Sequence, residues 1–369
     1  MKYWVSRVKQ WILGLLISAL FLALALWYCW HLPLVWSSST LIIPRGAGVN
    51  AAIKRVAASN QTYPVQLVAL LVKTFGWRMQ MHYGEYTLHD HLSLSELLHH
   101  IHNKTGLVQH HVTLIEGWTF QQVKQALLHQ SSLNTVGLNH SNKTIMQSLG
   151  EVALHPEGQF YPDTYQYVWG NSSLSVLRES HRKMKKTLQQ AWEKRATGLP
   201  YQSSYEALIV ASLIEVEAPS KDERPLVAGV ILTRLKKGMR LQIDPTVLYG
   251  LGKPYGSSIT KTDLATITPY NTYRIVGLPP TPIDMPSASS IHAALHPIFQ
   301  GYLFYVSNGD GTHTFSQNYA QHLRGVARYR KIEAEIKQSK EPLSSSSYTE
   351  MFDWRSLMIR SLQWFILNR

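Results

Sequence analysis

Twenty consecutive positions from Trp11 to Trp30 carry no formal charge, and they are dominated by Leu, Ile, Ala and Phe. At 1.5 Å per residue such a run spans about 30 Å as a helix, the thickness of a bilayer's hydrocarbon core. The pattern predicts one transmembrane helix over 11–30, preceded by a short segment, 1–10, that holds Lys2, Arg7 and Lys9. Positive charge before the span places that segment in the cytoplasm and the chain after it outside. A cleaved signal peptide would have a shorter apolar region ending in a small-x-small site, which Trp27-Tyr28-Cys29-Trp30 does not offer.

Beyond the span the pattern alternates between short extended runs and helical spacing. Leu41-Ile42-Ile43-Pro44 leads into a helix over Val49 to Ala58, Gly84 to Leu88 into one over Ser93 to His102, and Val112 to Ile115 into one over Phe120 to Leu128 with Thr119 as N-cap. Small βα modules of this kind suit polysaccharide binding. A Ser-, Asn- and Gly-rich stretch follows from about Gln130 to His155, which sets the boundary to a second domain. Arg182 to Arg195 carries six Lys and Arg and reads as a solvated basic helix. After Ser344 to Ser347, the segment from Phe352 to Leu367 is amphipathic.

The run from Glu206 to Glu217 is apolar on nearly every face between its acidic ends, which predicts a buried helix. Stacking at 100° per residue puts Glu215 over Ala211, Leu208 and Ser212, making it the better desolvated carboxyl of Glu215 and Glu217. Desolvation favours a protonated carboxyl, the form that donates to a glycosidic oxygen as general acid. The competing reading is an ion pair of Glu215 with Arg224 or Arg234. A second apolar helix, Leu226 to Leu235, follows Pro225 and stops at Lys236-Lys237-Gly238. Gln242, Asp244 and Tyr249 then read as a polar loop able to bond sugar hydroxyl and acetamido groups. Loops over 269–273, 277–283 and 311–316 carry Asn271, Tyr273 and His313.

Charge narrows the partner. Thirty-six Lys and Arg against 23 Asp and Glu give +13, which favours acidic partners, and an extracytoplasmic location removes nucleic acid from the possibilities. The single cysteine, Cys29, excludes an internal disulfide framework. The histidine pairs His99-His100 and His110-His111 are adjacent and lack the i,i+4 spacing of a helical metal site, so neither metal nor cofactor is expected.

The ordered blocks Ile214-Glu215-Val216-Glu217, Glu223-Arg224-Pro225-Leu226, Gly238-Met239-Arg240-Leu241-Gln242, Asp244-Pro245-Thr246-Val247, Tyr270-Asn271-Thr272-Tyr273, Gly277-Leu278-Pro279-Pro280 and His313-Thr314-Phe315-Ser316 resemble the endolytic murein transglycosylase family of the MltG (YceG-like) type. Glu116-Gly117-Trp118-Thr119 and Phe160 to Tyr165 resemble the same family. The resemblance implies an α+β protein with an inner-membrane anchor over 11–30, a LysM-like peptidoglycan-binding subdomain over 40–130 and a periplasmic catalytic domain over 155–335, with 337–369 as linker and tail. It also implies cleavage of the MurNAc-β-1,4-GlcNAc bond of nascent glycan strands to leave 1,6-anhydroMurNAc ends, terminating their elongation, with peptidoglycan synthases as partners. Within it the first Glu of the Glu-x-Glu pair, Glu215, is the acid/base, and Glu217, Gln242, Asp244, Tyr249, Asn271, Tyr273 and His313 bind substrate. Val216, Thr233, Ile243 and Met285-Pro286-Ser287 depart from the family pattern. A two-carboxylate hydrolytic muramidase and a non-catalytic wall-binding scaffold are the alternatives.

Overall fold

The computed structural model describes residues 2–76 and 78–339; the amphipathic segment expected over Phe352 to Leu367 lies outside the described residues. The chain divides into two compact units. The first runs up to His111 and includes Gln130–Asn134 and Gln166–Ser173; the second comprises Val112–His129, Thr135–Tyr165 and the described chain from Leu174.

The first unit begins with α1, Lys2–His31, whose stretch Ser6–His31 is long enough to cross a membrane and whose most apolar 18 residues have a mean hydropathy of 2.4. Then come β1 (Thr40–Ile43), α2 (Val49–Ser59), α3 (Val65–Phe75) and β2 (Gly84–Thr87). β1 and β2 pair antiparallel from Thr40 opposite Thr87 to Ile43 opposite Gly84. The helix α3 has no counterpart in the sequence reading, although its buried Val68, Leu71 and Val72 follow helical spacing. α4 (Leu94–Asn103) starts at a reciprocal cap in which Ser93 and Glu96 satisfy each other's backbone N–H groups. Leu41, Ile43, Val68, Leu71, Tyr86, Leu97 and Ile101 share one core.

Next along the chain are β3 (Gln109–Thr113), α5 (Phe120–Leu128), α6 (Asn142–Ser148), β4 (Thr164–Val168) and α7 (Ser173–Glu193). Thr119 caps α5 as expected, but α5 packs in the second unit: Phe120 stacks on Phe160, and Gly117 and Trp118 exchange backbone hydrogen bonds with Met285. α7 is longer than the basic helix expected over 182–195. On it, Lys183 pairs with Asp163, and Lys185 pairs with Glu151 at 3.0 Å, while the rest of its charge faces solvent.

The centre of the second unit is α8 (Ser204–Glu217), followed by α9 (Arg224–Lys236), α10 (Asp244–Gly250), α11 (Lys261–Ala265), α12 (Ala288–Leu295), β5 (Phe304–Ser307), β6 (His313–Ser316) and α13 (Tyr319–Ser339). Ser203 caps α8 by accepting from the Glu206 N–H, and every residue from Ala207 to Glu215 is buried. Each large aliphatic side chain so buried contributes about 1.5–3 kcal/mol, so a helix apolar all round is stable only at the middle of a core. α12 and α9 pack against it. Close approach fixes one glycine: a Cβ on Gly229 of α9 would meet the Ile298 carbonyl oxygen at 2.1 Å. Two loop expectations are corrected. Residues 244–250 form α10 because Pro245 suits a first helical turn, and 313–316 form β6, paired with β5 from Phe304 opposite Ser316 to Ser307 opposite His313.

Candidate active site

The two carboxyls of Glu215-Val216-Glu217 project to different sides of α8, because two residues turn a helix by about 200°. Glu215 points to the N-terminal ends of α9 and α12. Its Oε1 accepts from Arg224 Nη2 at 2.9 Å and its Oε2 from Nη1 at 3.2 Å, a fork-to-fork pair. Oε2 also accepts the Ser287 backbone N–H at 2.8 Å and the Ser287 hydroxyl at 2.6 Å. Arg224 is fixed in turn by the Ala218 carbonyl, Ser287 and Ser289. Both residues are about 95% buried at the side chain. Every partner of Glu215 here is a donor, and these bonds tie the starts of α9 and α12 to the end of α8.

Glu217 points the other way, toward α10 and β5. It lines a small cavity of about 70 Å³ with Arg234, Gln242, Asp244, Tyr273 and Tyr305. Its Oε2 accepts the Tyr305 hydroxyl at 3.0 Å, and burial, only partly opposed by that bond, pushes its pKa up to about 7. Asp244 accepts the Tyr273 hydroxyl, and burial together with the charge of Glu217 raises it well above the ordinary carboxyl range. Among the described residues neither carboxyl is in an ion pair, and burial favours the protonated form of each. Arg234 lines the same cavity but is spent on the carbonyls of Leu303 and Leu241 and, at 3.4 Å, on Gln242. Gln242 has φ +55°, a left-handed backbone that costs a non-glycine residue about 1 kcal/mol or more, and such strain concentrates at functional sites.

The structure thus gives the two carboxyls of the pair different partners. Glu215 is the more buried residue and is paired with Arg224, nine positions along, whereas Glu217 accepts the Tyr305 hydroxyl in a cavity it shares with Asp244, Tyr273 and Arg234. Of the eight residues singled out in the sequence, Glu217, Gln242, Asp244, Tyr273 and His313 are brought to one cavity. His313 is clamped by Glu223, which accepts its backbone N–H at 3.0 Å and bonds its ring Nδ1 at 2.8 Å. Asn271 is 1% exposed and its amide latches the carbonyls of Leu264 and Thr266, so it shapes the loop that carries Tyr273. Tyr249 donates to Glu157 at 2.9 Å, outside this cavity.

Tyr305 and Glu157 are absent from the sequence-based candidates. Tyr305 sits in a four-residue strand with no distinguishing pattern. Glu157 precedes the Phe160 to Tyr165 block, yet only the fold buries it to 3% exposure between the Phe120 N–H and the Tyr249 hydroxyl. Burial raises Glu157 to about 8. A carboxyl raised on folding holds its proton while the unfolded chain loses it, so the second unit loses stability as pH rises from about 4.5 to about 8. Thermal melts of Glu157→Gln across that range should show a flatter slope and a higher Tm than the parent at pH 8.5; parallel slopes would contradict the assignment.

The YceG-like family model matches residues 41–328. An endolytic murein transglycosylase of Bacillus subtilis is 36% identical over 176 residues, which are 47% of this chain and 48% of that protein. One of Streptococcus pneumoniae is 31% identical over 187 residues, 47% of this chain and 32% of that protein. The chain thus spans about half, or less, of the length of the curated relatives it matches. A crystal structure of a YceG-like protein from Listeria monocytogenes aligns with a TM-score of 0.51 at 25% identity, over 79% of this chain and 99% of that one. With the family matched across most of its length, the chain belongs to the YceG-like family.

Proposed function

We propose that the protein is an endolytic murein transglycosylase that cuts the MurNAc-β-1,4-GlcNAc bond within peptidoglycan strands, with Glu217 as its acid/base. The observation that carries this reading is the proton-holding Glu217–Asp244 pair in a cavity of a YceG-like chain whose curated relatives bear that activity in their names. Protonated Glu217 donates to the leaving oxygen as the C1–O bond breaks and positive charge develops at C1. Its carboxylate then takes the proton of the muramyl 6-hydroxyl, and O6 bonds to C1 to close the 1,6-anhydro ring. The two proton transfers cancel, no water is consumed and Glu217 ends protonated. Burial keeps the proton on Glu217 up to about neutral pH, and Asp244, bonded to Tyr273, lines the same cavity beside it. Glu215, which the family pattern of motifs put forward as the acid, here holds α9 and α12 in place through Arg224 and Ser287.

Tyr305 tunes the acid. Its hydrogen bond favours the charged form of Glu217, so Tyr305→Phe should raise that pKa and move the alkaline limb of the rate profile to higher pH, at a small cost in maximal rate. A limb that stays in place in the folded variant would refute the role.

The remaining parts of the reading follow the same route. α1 acts as a single-pass anchor of the bacterial inner membrane, with the basic N-terminal residues in the cytoplasm and the chain after His31 in the periplasm. The β1-α2-α3-β2 unit acts as a LysM-like peptidoglycan-binding module, supported by its β–α–α–β order and antiparallel strand pair. Termination of strand elongation implies proximity to peptidoglycan synthases. A hydrolytic muramidase is the second reading, favoured by the carboxyl of Asp244 beside that of Glu217; its products carry one water more.

A further inference from the structure

A second cavity in the same unit has no part in the chemistry at Glu217. It measures about 480 Å³, within the range of about 300–1,000 Å³ usual for small-molecule sites. Phe120, Tyr249 and Tyr255 give it aromatic surface, and Gln121 and Asn142 give it amide groups at an exposed mouth. Its charge is cancelled from within. Lys253 is paired with Asp263 at 2.7 Å, and the oxygens of Glu157 take the Phe120 N–H and the Tyr249 hydroxyl. His155, the other titratable group of the lining, accepts the Glu157 backbone N–H at 3.3 Å through Nδ1, and burial lowers its pKa, so among the described lining residues no uncommitted cation is offered to a phosphate or a carboxylate and the lining fits a neutral ligand with an apolar face and amide or hydroxyl edges.

One short helix ties this cavity to the acid. Asp244 and Tyr249 are five residues apart on α10, about 7–8 Å along the axis, and each lines a different cavity. We propose that the cavity between α5, α6 and the 249–255 turn is a distal carbohydrate subsite that takes an uncharged N-acetylated hexosamine ring of the strand cut beside Glu217. An N-acetylglucosamine ring suits it better than muramic acid, whose lactyl carboxylate would meet no free cation there. The inference rests on the glycan reading of the site above. Aromatic faces cover the apolar side of the ring, and the Gln121 and Asn142 amides bond its acetamido group. Burial keeps Glu157 protonated near neutral pH, so the floor of the cavity stays neutral.

The test uses the full chain in detergent micelles. N,N′,N″-triacetylchitotriose is titrated calorimetrically into Glu217→Gln, in which turnover is removed, and into the same chain carrying Asn142→Trp or Gln121→Ala. Both added changes lie at exposed positions, and unchanged melting temperatures confirm folding. We expect Asn142→Trp to fill the mouth and weaken chitotriose binding at least tenfold, with Gln121→Ala in the same direction. In the otherwise active chain Asn142→Trp should raise KM for long glycan strands by a similar factor with kcat unchanged. Binding and KM equal to the parent in both variants, or no binding of millimolar chitotriose to the parent, would overturn the subsite. Failure of the catalytic reading is separately visible: Glu217→Gln would then keep its activity, whatever the Asn142 and Gln121 variants do.

Discussion

Glu217→Gln is expected to lower turnover on peptidoglycan by about 10²–10⁴-fold, the usual worth of a positioned general acid, while its melting temperature stays at or above that of the parent. Gln keeps the shape and still accepts from Tyr305, but it has no proton to give. Because the acid must be protonated and its pKa lies at about 7, the parent's rate should fall as pH rises through neutrality. The variant's residual rate should lose that limb. Full activity in a folded Glu217→Gln chain would remove Glu217 from the mechanism. Glu215→Gln should behave in the opposite way, since it weakens the pair with Arg224: stability falls, and the folded fraction keeps its rate to within about tenfold.

Arg224→Met is the largest expected stability effect. It leaves Glu215 ionised, buried and without its cation, a situation that costs about 3–5 kcal/mol. Ser287 continues to donate two hydrogen bonds, which places the effect toward the lower end. Denaturant unfolding checks the size, and the double variant Glu215→Leu/Arg224→Met decides the cause. When both partners become apolar the desolvation cost disappears, so the double variant should be more stable than Arg224→Met alone. A double variant as unstable as the sum of the two single changes would mean that packing, and not the buried charge, is what Arg224 supplies.

Helix α8 and its flanking carboxyls were legible in the sequence because an all-apolar helical run has one stable place, the centre of a core. The anchor span and the caps at Ser93 and Thr119 were legible for equally local reasons, namely length, charge and N-cap chemistry. Which carboxyl carries a cation was legible only as an alternative, the pair of Glu215 with Arg224 or Arg234, of which the structure shows the first. Helical spacing orders Glu215 and Glu217 by burial, but the partner of each is set by which neighbour the fold brings to each side, Arg224 in one case and Tyr305 with Asp244 in the other. Glu157 was hidden for the same reason: its burial depends on Tyr249, 92 positions away. The helix over 244–250 escaped notice because Asp244-Pro245-Thr246 serves a turn and a first helical turn equally well. The strand β6 escaped because its polar residues His313, Thr314 and Ser316 obscure the period of two.

The central claim is a lytic cut made by Glu217, and the mass of the released glycans tests it most directly. Purified peptidoglycan is digested with the full-length protein and with its Glu217→Gln and Glu215→Gln variants, each shown to be folded by its melting curve, and the fragments are weighed. The account predicts internal fragments ending in 1,6-anhydroMurNAc from the parent and from Glu215→Gln, and none from Glu217→Gln. Fragments heavier by one water would make the protein a muramidase, and anhydro-ended fragments from Glu217→Gln but not from Glu215→Gln would return the acid to Glu215 and contradict the account.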